Sequence, residues 1–345
     1  MLWQQLRELF REQETPVRSD QFAVSRTHSL DTLDITVVII VSNLATFESE
    51  YKTALESVKC YTEQQKYRLE LVEDSDYRHL CVQEKFAFRR HCIVSNLLRE
   101  SDWVFLLDAD TAVVNPKVRL EDYIVNEFDL ALYDKFANWE IATGSYIVKN
   151  TFWARDFLMK LADFEGKIPS SGDDNAAIHV LLQKTFYPQF ADEVGNCGKI
   201  LDTSSENRDA LYSFEACVRS VIGENHEFEK LRILKKGTAW VRDIWLTDSK
   251  WNKDRDFMLG GLRESQNSQL SQGILSTILL GKYTWRTPFL MPLNSESCEL
   301  EKWEFDPELM TTKTEIEEFL TKKYEEVERL RWNSLARVGE RLQKK

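Results

Sequence analysis

The segment Ile35-Thr36-Val37-Val38-Ile39-Ile40-Val41 is apolar or β-branched at every position and ends in Ser42-Asn43. A strand with one wet face alternates apolar and polar residues. A strand without that alternation needs apolar cover on both faces, which α/β proteins supply by flanking a parallel sheet with helices. The run therefore predicts a first, interior strand of an α/β sheet. Residues 48–66 follow with Tyr51, Leu55, Val58 and Tyr61 three or four apart, the spacing of one helix face. Tyr67 to Val72 then reads as a second strand. Strand, helix and strand begin a βαβ unit, whose ligands bind beyond the carboxyl ends of the strands.

A helix from about Gln83 to Arg99 leads into Trp103-Val104-Phe105-Leu106-Leu107, a second unbroken apolar run, with Asp108-Ala109-Asp110 at its carboxyl end. Residues 129–134 and 145–148 predict further strands, and Phe152 to Phe164 a helix. Beyond Asp306 the chain becomes strongly charged. Thr314 and Glu317 have the spacing of a capping box, and Ile316, Leu320, Val327 and Leu330 mark one stripe of a terminal helix docked by that face. The organisation expected is an extension over residues 1–30, one α/β domain over 31–305 and a charged C-terminal helix over 306–345.

Formal net charge is -12, so the long-range field opposes the phosphate backbone that a nucleic-acid binder must attract. A nucleoside diphosphate is still compatible with such a chain where a divalent cation separates the two negative groups. Six cysteines are scattered with no C-x-x-C pair, which indicates neither a zinc site nor a dense disulfide framework. Residues 1–20 contain no apolar signal core and no stretch long enough to span a membrane, and no Asn-x-Ser/Thr sequon occurs. A cytoplasmic location is consistent with that.

Asp108 and Asp110 lie two apart after a buried strand, where extended backbone sends both side chains to the same side. Paired carboxylates suit hard Mg²⁺ or Mn²⁺, which take oxygen ligands and bridge to phosphate. An isolated D-x-D is also a common polar strand end. Here the βαβ pattern that precedes it favours a ligand site. The same text resembles the first motif of haloacid-dehalogenase-type phosphatases, with Asp108 as nucleophile and Asp110 as acid, although those enzymes usually place that strand first in the domain.

The stretches Phe86 to Cys92, Trp103 to Asp110, Asn138-Trp139-Glu140, Gly144-Ser145-Tyr146, Asp174 to His179 and Gly237 to Asp243 resemble a nematode-expanded family of putative nucleotide-diphospho-sugar transferases, a domain of unknown function. That family is distantly similar to fungal Golgi galactosyl- and mannosyltransferases and plant xylosyltransferases. The resemblance implies a GT-A-like (Rossmann-like) α/β fold with a central, mostly parallel sheet. It also implies a retaining, metal-dependent transfer from a UDP- or GDP-linked sugar to a carbohydrate or glycoconjugate acceptor, in the Golgi or secretory lumen.

By the same resemblance, Ser42 and Asn43 border the nucleotide, and Lys85, Arg89, Gly144, Ser145 and Arg263 belong to the nucleotide-sugar site. Asp108 binds both nucleotide sugar and metal, and Asp110 binds metal. Asp174 is the expected catalytic acid facing acceptor or donor sugar, preferred over Asp173. Trp139, Glu140 and Asn175 are expected to touch sugar or acceptor. Trp240, Trp245, Trp251 and His179 read more simply as packed residues.

The family pattern places a His-Gly pair, with the histidine as third metal ligand, where this chain reads Gly260-Gly261. Glycine offers no donor atom, so a weak or inactive pseudoenzyme that binds sugar nucleotide or glycan is the alternative. An interaction protein built on the terminal helix would have no use for D-x-D at a strand end.

Overall fold

The structure, a computed structural model, describes residues 33–168, 173–200, 208–223, 225–264, 286–290, 292–293 and 298–343. Residues 33–345 form one unit, and the expected extension over residues 1–30 lies outside the described residues. β1 is Ile35–Val41, as the apolar run predicts. Its side chains divide between two cores: Val38 and Ile40 enter one, and Ile35, Val37, Ile39 and Val41 enter the other. β3, Trp103–Leu106, divides in the same way, with Val104 and Leu106 on one face and Trp103 and Phe105 on the other. Burial on both faces is why neither strand alternates. Each such aliphatic side chain contributes about 1.5–3 kcal/mol when fully buried.

β2 (Arg68–Glu73), β4 (Ala112–Val113), β5 (Leu130–Asp134), β6 (Ile141–Lys149), β7 (Leu231–Leu234), β8 (Val241–Asp243) and β9 (Met258–Gly260) complete the strands among the described residues. The main sheet runs β2-β1-β3-β6-β5-β7. β6 is antiparallel to both its neighbours and the other pairings are parallel, giving the mostly parallel sheet of an α/β protein. β4, β9 and β8 form a small second sheet.

α1 (Leu44–Glu50) and α2 (Lys52–Gln65) cover one face. Sequence periodicity suggests one helix over 48–66, but the chain breaks at Tyr51, whose φ of -127° and ψ of 28° lie outside the helical region. α3 (Phe86–Leu97), α4 (Phe152–Ala162), α5 (Asp174–Phe186), α6 (Ala191–Gly198) and α7 (Arg208–Ile222) belong to the other face.

α8 (Lys313–Gln343) docks by the expected stripe. Val327 and Leu330 pack with Trp139, Tyr212 and Ala216, while Ile316 and Leu320 pack with Phe136, Ala137 and Leu246. Its capping box is Thr312 with Glu315 rather than Thr314 with Glu317. The Glu315 carboxylate accepts from the Thr312 N–H at 3.0 Å, and the Thr312 hydroxyl accepts from the Glu315 N–H at 3.2 Å.

All six cysteines are paired, as Cys60–Cys298, Cys81–Cys92 and Cys197–Cys217. This corrects the expectation from their scattered spacing, because the fold brings together cysteines as far as 238 residues apart. Such bonds persist in an oxidising or secretory environment. Among the described residues no helix is long and apolar enough to cross a membrane.

Candidate functional site

β3 ends opposite Val38 while parallel β1 continues to Val41, with Asp108 past the end of β3 and Ser42 and Asn43 past that of β1. The Asp108 carboxylate lies against β6: a Cβ on Gly144 would stand 2.2 Å from its Oδ2. Glycine at 144 is therefore a requirement of close approach. Asp110 follows in the turn that leads to β4, and its carbonyl accepts from the Leu262 N–H at 2.8 Å, which ties the segment after β9 to the Asp108-Ala109-Asp110 loop.

Burial, then Asp108 and Asp243 beside it, push the Asp110 carboxyl up to about 7. Asp243 ends β8 in register with Gly260 of β9, and burial raises its carboxyl as well. Three carboxylates thus share one field. Among the described residues no group of three His, Cys, Asp or Glu side chains forms a ready metal cage.

Cations face this acidic cleft. Arg90 of α3 reaches Asp108 Oδ1 at 3.3 Å and Thr143 Oγ1 at 3.4 Å, and donates through Nε to Asp174 Oδ2 at 2.9 Å. Arg263 is exposed, with its guanidinium 5.3 Å from the centre of the Tyr51 ring. Lys135, just past β5, pairs with Glu140 at 2.9 Å. Burial works against its charge, but Glu140 outweighs burial and holds the ammonium protonated well above its usual range.

Asp174 opens α5 as expected, but its side chain is only 2 % exposed. Oδ2 also contacts His91 Nε2 at 2.9 Å, and Oδ1 accepts from the Asn175 N–H at 3.1 Å. Burial raises its carboxyl, yet Arg90 and His91 outweigh burial and hold it well below the ordinary carboxylate range. Its carboxylate holds the Arg90 guanidinium through Oδ2. Asp173 caps α5 by accepting from the Asn175 N–H at 3.0 Å, and burial together with Asp174 pushes it up to about 6.

Several other expected contacts are turned inward. Arg89 is paired with buried Asp74 and donates to the Gln83 carbonyl at 2.7 Å, so it does not face the cleft. Lys85 is exposed at the N-terminus of α3, where its backbone N–H donates to Glu165. Asn43 caps α1, its Oδ1 accepting from the Thr46 N–H at 2.8 Å, and Ser42 beside it is exposed.

Ser145 is fully buried, donating to the Leu106 carbonyl at 3.0 Å and accepting from Trp240 Nε1 at 2.8 Å. Trp139 is 4 % exposed and meets Tyr212 edge to face, which removes it as a sugar platform. Glu140 holds Lys135 and Asn138, and Asn175 accepts from Thr143 N–H and Oγ1. Trp240 and Trp251 are fully buried and Trp245 is half-buried, as packed aromatics should be. His179 is packed within α5, where burial pushes it down to about 4.

Sequence reading assigned no role to Arg90 or Asp243. Arg90 is one residue from Arg89, and a helix turns about 100° per residue, so only the helix phase distinguishes the inward cation from the one facing the cleft. Asp243 stood within a quoted motif, but its approach to Asp108 and Asp110 depends on the second sheet.

Known structures with similar shape include a glycosyltransferase involved in the glycosylation of the major capsid of PBCV-1. The match has 12% identity and a TM-score of 0.37, covering 66% of this chain and 92% of that one. The glycosyltransferase GlyE of Streptococcus pneumoniae TIGR4 matches with 16% identity and a TM-score of 0.33, covering 50% of each chain. No match is found among curated proteins. The sequence profile of DUF273, a family of proteins of unknown function, matches residues 58–277, more than half of the chain. The chain belongs to the DUF273 family.

Proposed function

We propose that this protein is a GT-A-like glycosyltransferase that takes a sugar from a UDP- or GDP-linked donor to a carbohydrate or glycoconjugate acceptor, with retention, in the Golgi or secretory lumen. The observation that carries the reading is Asp108 at the carboxyl end of β3, fitted against Gly144, with Asp110 two residues on and Arg90 and Arg263 around them. A cleft of carboxylates and arginines at strand ends suits a ligand that is both phosphorylated and hydroxylated.

The donor set fits a divalent cation. Asp108 and Asp110 supply hard carboxylate oxygens, and Asp110, raised by burial and then by Asp108 and Asp243, would have that repulsion relieved by a bound Mn²⁺ or Mg²⁺. When bound, the cation would neutralise charge on the departing diphosphate. In this reading Arg263 meets that diphosphate, and Arg90, held by Asp174, donates to a sugar hydroxyl.

Isothermal titration with UDP and GDP, with and without Mn²⁺, tests the reading. One of the two should bind only with metal, and Asp108→Asn should abolish that binding while circular dichroism remains unchanged. Equal nucleotide affinity without Mn²⁺, or in the variant, would reject it. Gly260 favours a second reading, a binder of sugar nucleotide without turnover, which predicts metal-dependent binding with no donor hydrolysis.

A further inference from the structure

Away from the cleft, α5, α6 and α7 enclose a groove of about 400 Å³, within the size range of small-molecule sites. Val180 of α5, Val194 of α6 and Phe214 of α7 give it an apolar lining. Val194 and Phe214 belong to the main core, so the groove opens directly onto buried hydrocarbon. At Gly198 a Cβ would meet no atom within 4 Å. That stretch of the wall is bare backbone beside open space. The Cys197–Cys217 disulfide joins α6 to α7, which fixes two walls relative to one another before any ligand arrives.

Charge at the rim is opposite in sign to that of the whole chain. Lys167 and Lys184 both line the groove, with ammonium groups 5.7 and 5.1 Å from the centre of the same Phe164 ring. Neither is in an ion pair among the described residues. Two lysines on one ring, neither with a carboxylate partner among the described residues, on a chain of net charge -12, mark a place where an anion is locally favoured.

We propose that this groove binds a single-chain anionic amphiphile, with its apolar chain along Val180, Val194 and Phe214 and its acidic head between Lys167 and Lys184. The site is separate from the cleft: Lys184 lies ten residues along α5 from Asp174, about 15 Å at 1.5 Å per residue. It stands whether or not the chain transfers sugar.

Titration of the intact, disulfide-bonded protein with dodecyl phosphate below its micellar concentration tests the site, with dodecanol, dodecyltrimethylammonium and inorganic phosphate as comparisons. Saturable one-to-one binding of dodecyl phosphate is expected. The alcohol should bind at least about tenfold more weakly, which is ~1.4 kcal/mol, and neither the cationic amphiphile nor phosphate alone should bind measurably.

Gly198→Leu adds bulk at a groove-lining position where a Cβ meets no atom, and should lower dodecyl phosphate affinity by about tenfold or more. Lys167→Ala with Lys184→Ala alters only exposed side chains and should erase the preference for phosphate over alcohol while leaving the alcohol bound. The double variant remains informative even where Gly198→Leu fails to fold. Equal binding of the anionic and cationic amphiphiles, or dodecyl phosphate affinity unchanged in the double variant, would overturn the proposal.

Discussion

Arg90 Nε lies 2.9 Å from Asp174 Oδ2, and the same guanidinium reaches Asp108 at 3.3 Å, so one arginine links the start of α5 to the end of β3. Asp174 is nearly inaccessible, and Arg90 is 13% exposed. Removing the carboxylate charge leaves a largely buried guanidinium with longer contacts to Asp108 at 3.3 Å and Thr143 at 3.4 Å. Asp174→Asn is therefore expected to cost about 3–5 kcal/mol at neutral pH, read by urea unfolding, and to weaken any donor hydrolysis through misplacement of Arg90. The sign of the pH effect follows from the depressed carboxyl. Its contribution is fully present above the unfolded value near 4 and disappears as pH falls below that value toward the folded one. The stability gap between wild type and variant should thus narrow between about pH 4 and pH 2. A gap that stays constant over that range would mean that the ionised carboxylate is not what stabilises the protein.

A second expectation concerns Gly144. The Cβ of alanine there would stand 2.2 Å from Asp108 Oδ2 and 2.3 Å from Oδ1, so something must move. The colliding atoms are the end of a side chain that is 45% exposed, not backbone, so the carboxylate is displaced and β6 remains paired. Gly144→Ala should keep its thermal midpoint within about 4–8 °C of wild type, the shift produced by roughly 1–2 kcal/mol in a large domain. Metal-dependent nucleotide binding should fall by about tenfold or more. Full binding in Gly144→Ala would separate Asp108 from the ligand site.

The third expectation is that Cys298→Ser destabilises the oxidised protein by on the order of 2–5 kcal/mol, because the bond to Cys60 closes a loop of 238 residues. Comparing chemical unfolding of the variant with that of wild type, both with the other two disulfides intact, measures it. Identical unfolding midpoints would show that Cys60 and Cys298 do not pair in the native protein.

Both interior strands were legible in the sequence because burial on two faces removes alternation, as the split of Val38 and Ile39 between the two cores shows. Asp108 and Asp110 were legible because they directly follow such a strand. Ser145 and Trp139 were not. A serine in a strand next to a required glycine reads as a ligand contact until the Trp240 indole is seen to donate to it. An aromatic residue in a loop reads as a sugar platform until α7 and α8 are found packed over it. The cysteine pairs were hidden for a related reason: spacing says nothing about residues 60 and 298 when most of the domain lies between them.

The last expectation concerns Gly260, which stands where the resemblance read from the sequence leads one to expect histidine. Gly261 has a φ of +91°, a conformation that disfavours a side chain, but Gly260 is not at positive φ and sits in regular pairing with Asp243. A Cβ at 260 would meet Val241 at 3.4 Å, Asp243 Oδ1 at 3.5 Å and Thr111 Oγ1 at 3.8 Å, all ordinary contacts. The direction is informative, since Thr111 directly follows Asp110 and Asp243 shares the field of Asp108 and Asp110. A side chain at 260 therefore enters the space next to the proposed cation ligands. Gly260→His should fold normally and add an imidazole ligand, raising Mn²⁺ affinity in the absence of nucleotide by about tenfold or more. In wild type, metal and nucleotide should bind with strong mutual dependence, because diphosphate oxygens would complete the coordination of a cation held by Asp108 and Asp110. That dependence should weaken in the variant. Titrating Mn²⁺ with and without nucleotide against both proteins measures the two effects. A folded Gly260→His protein with wild-type metal affinity and undiminished coupling would show that β9 does not border the cation.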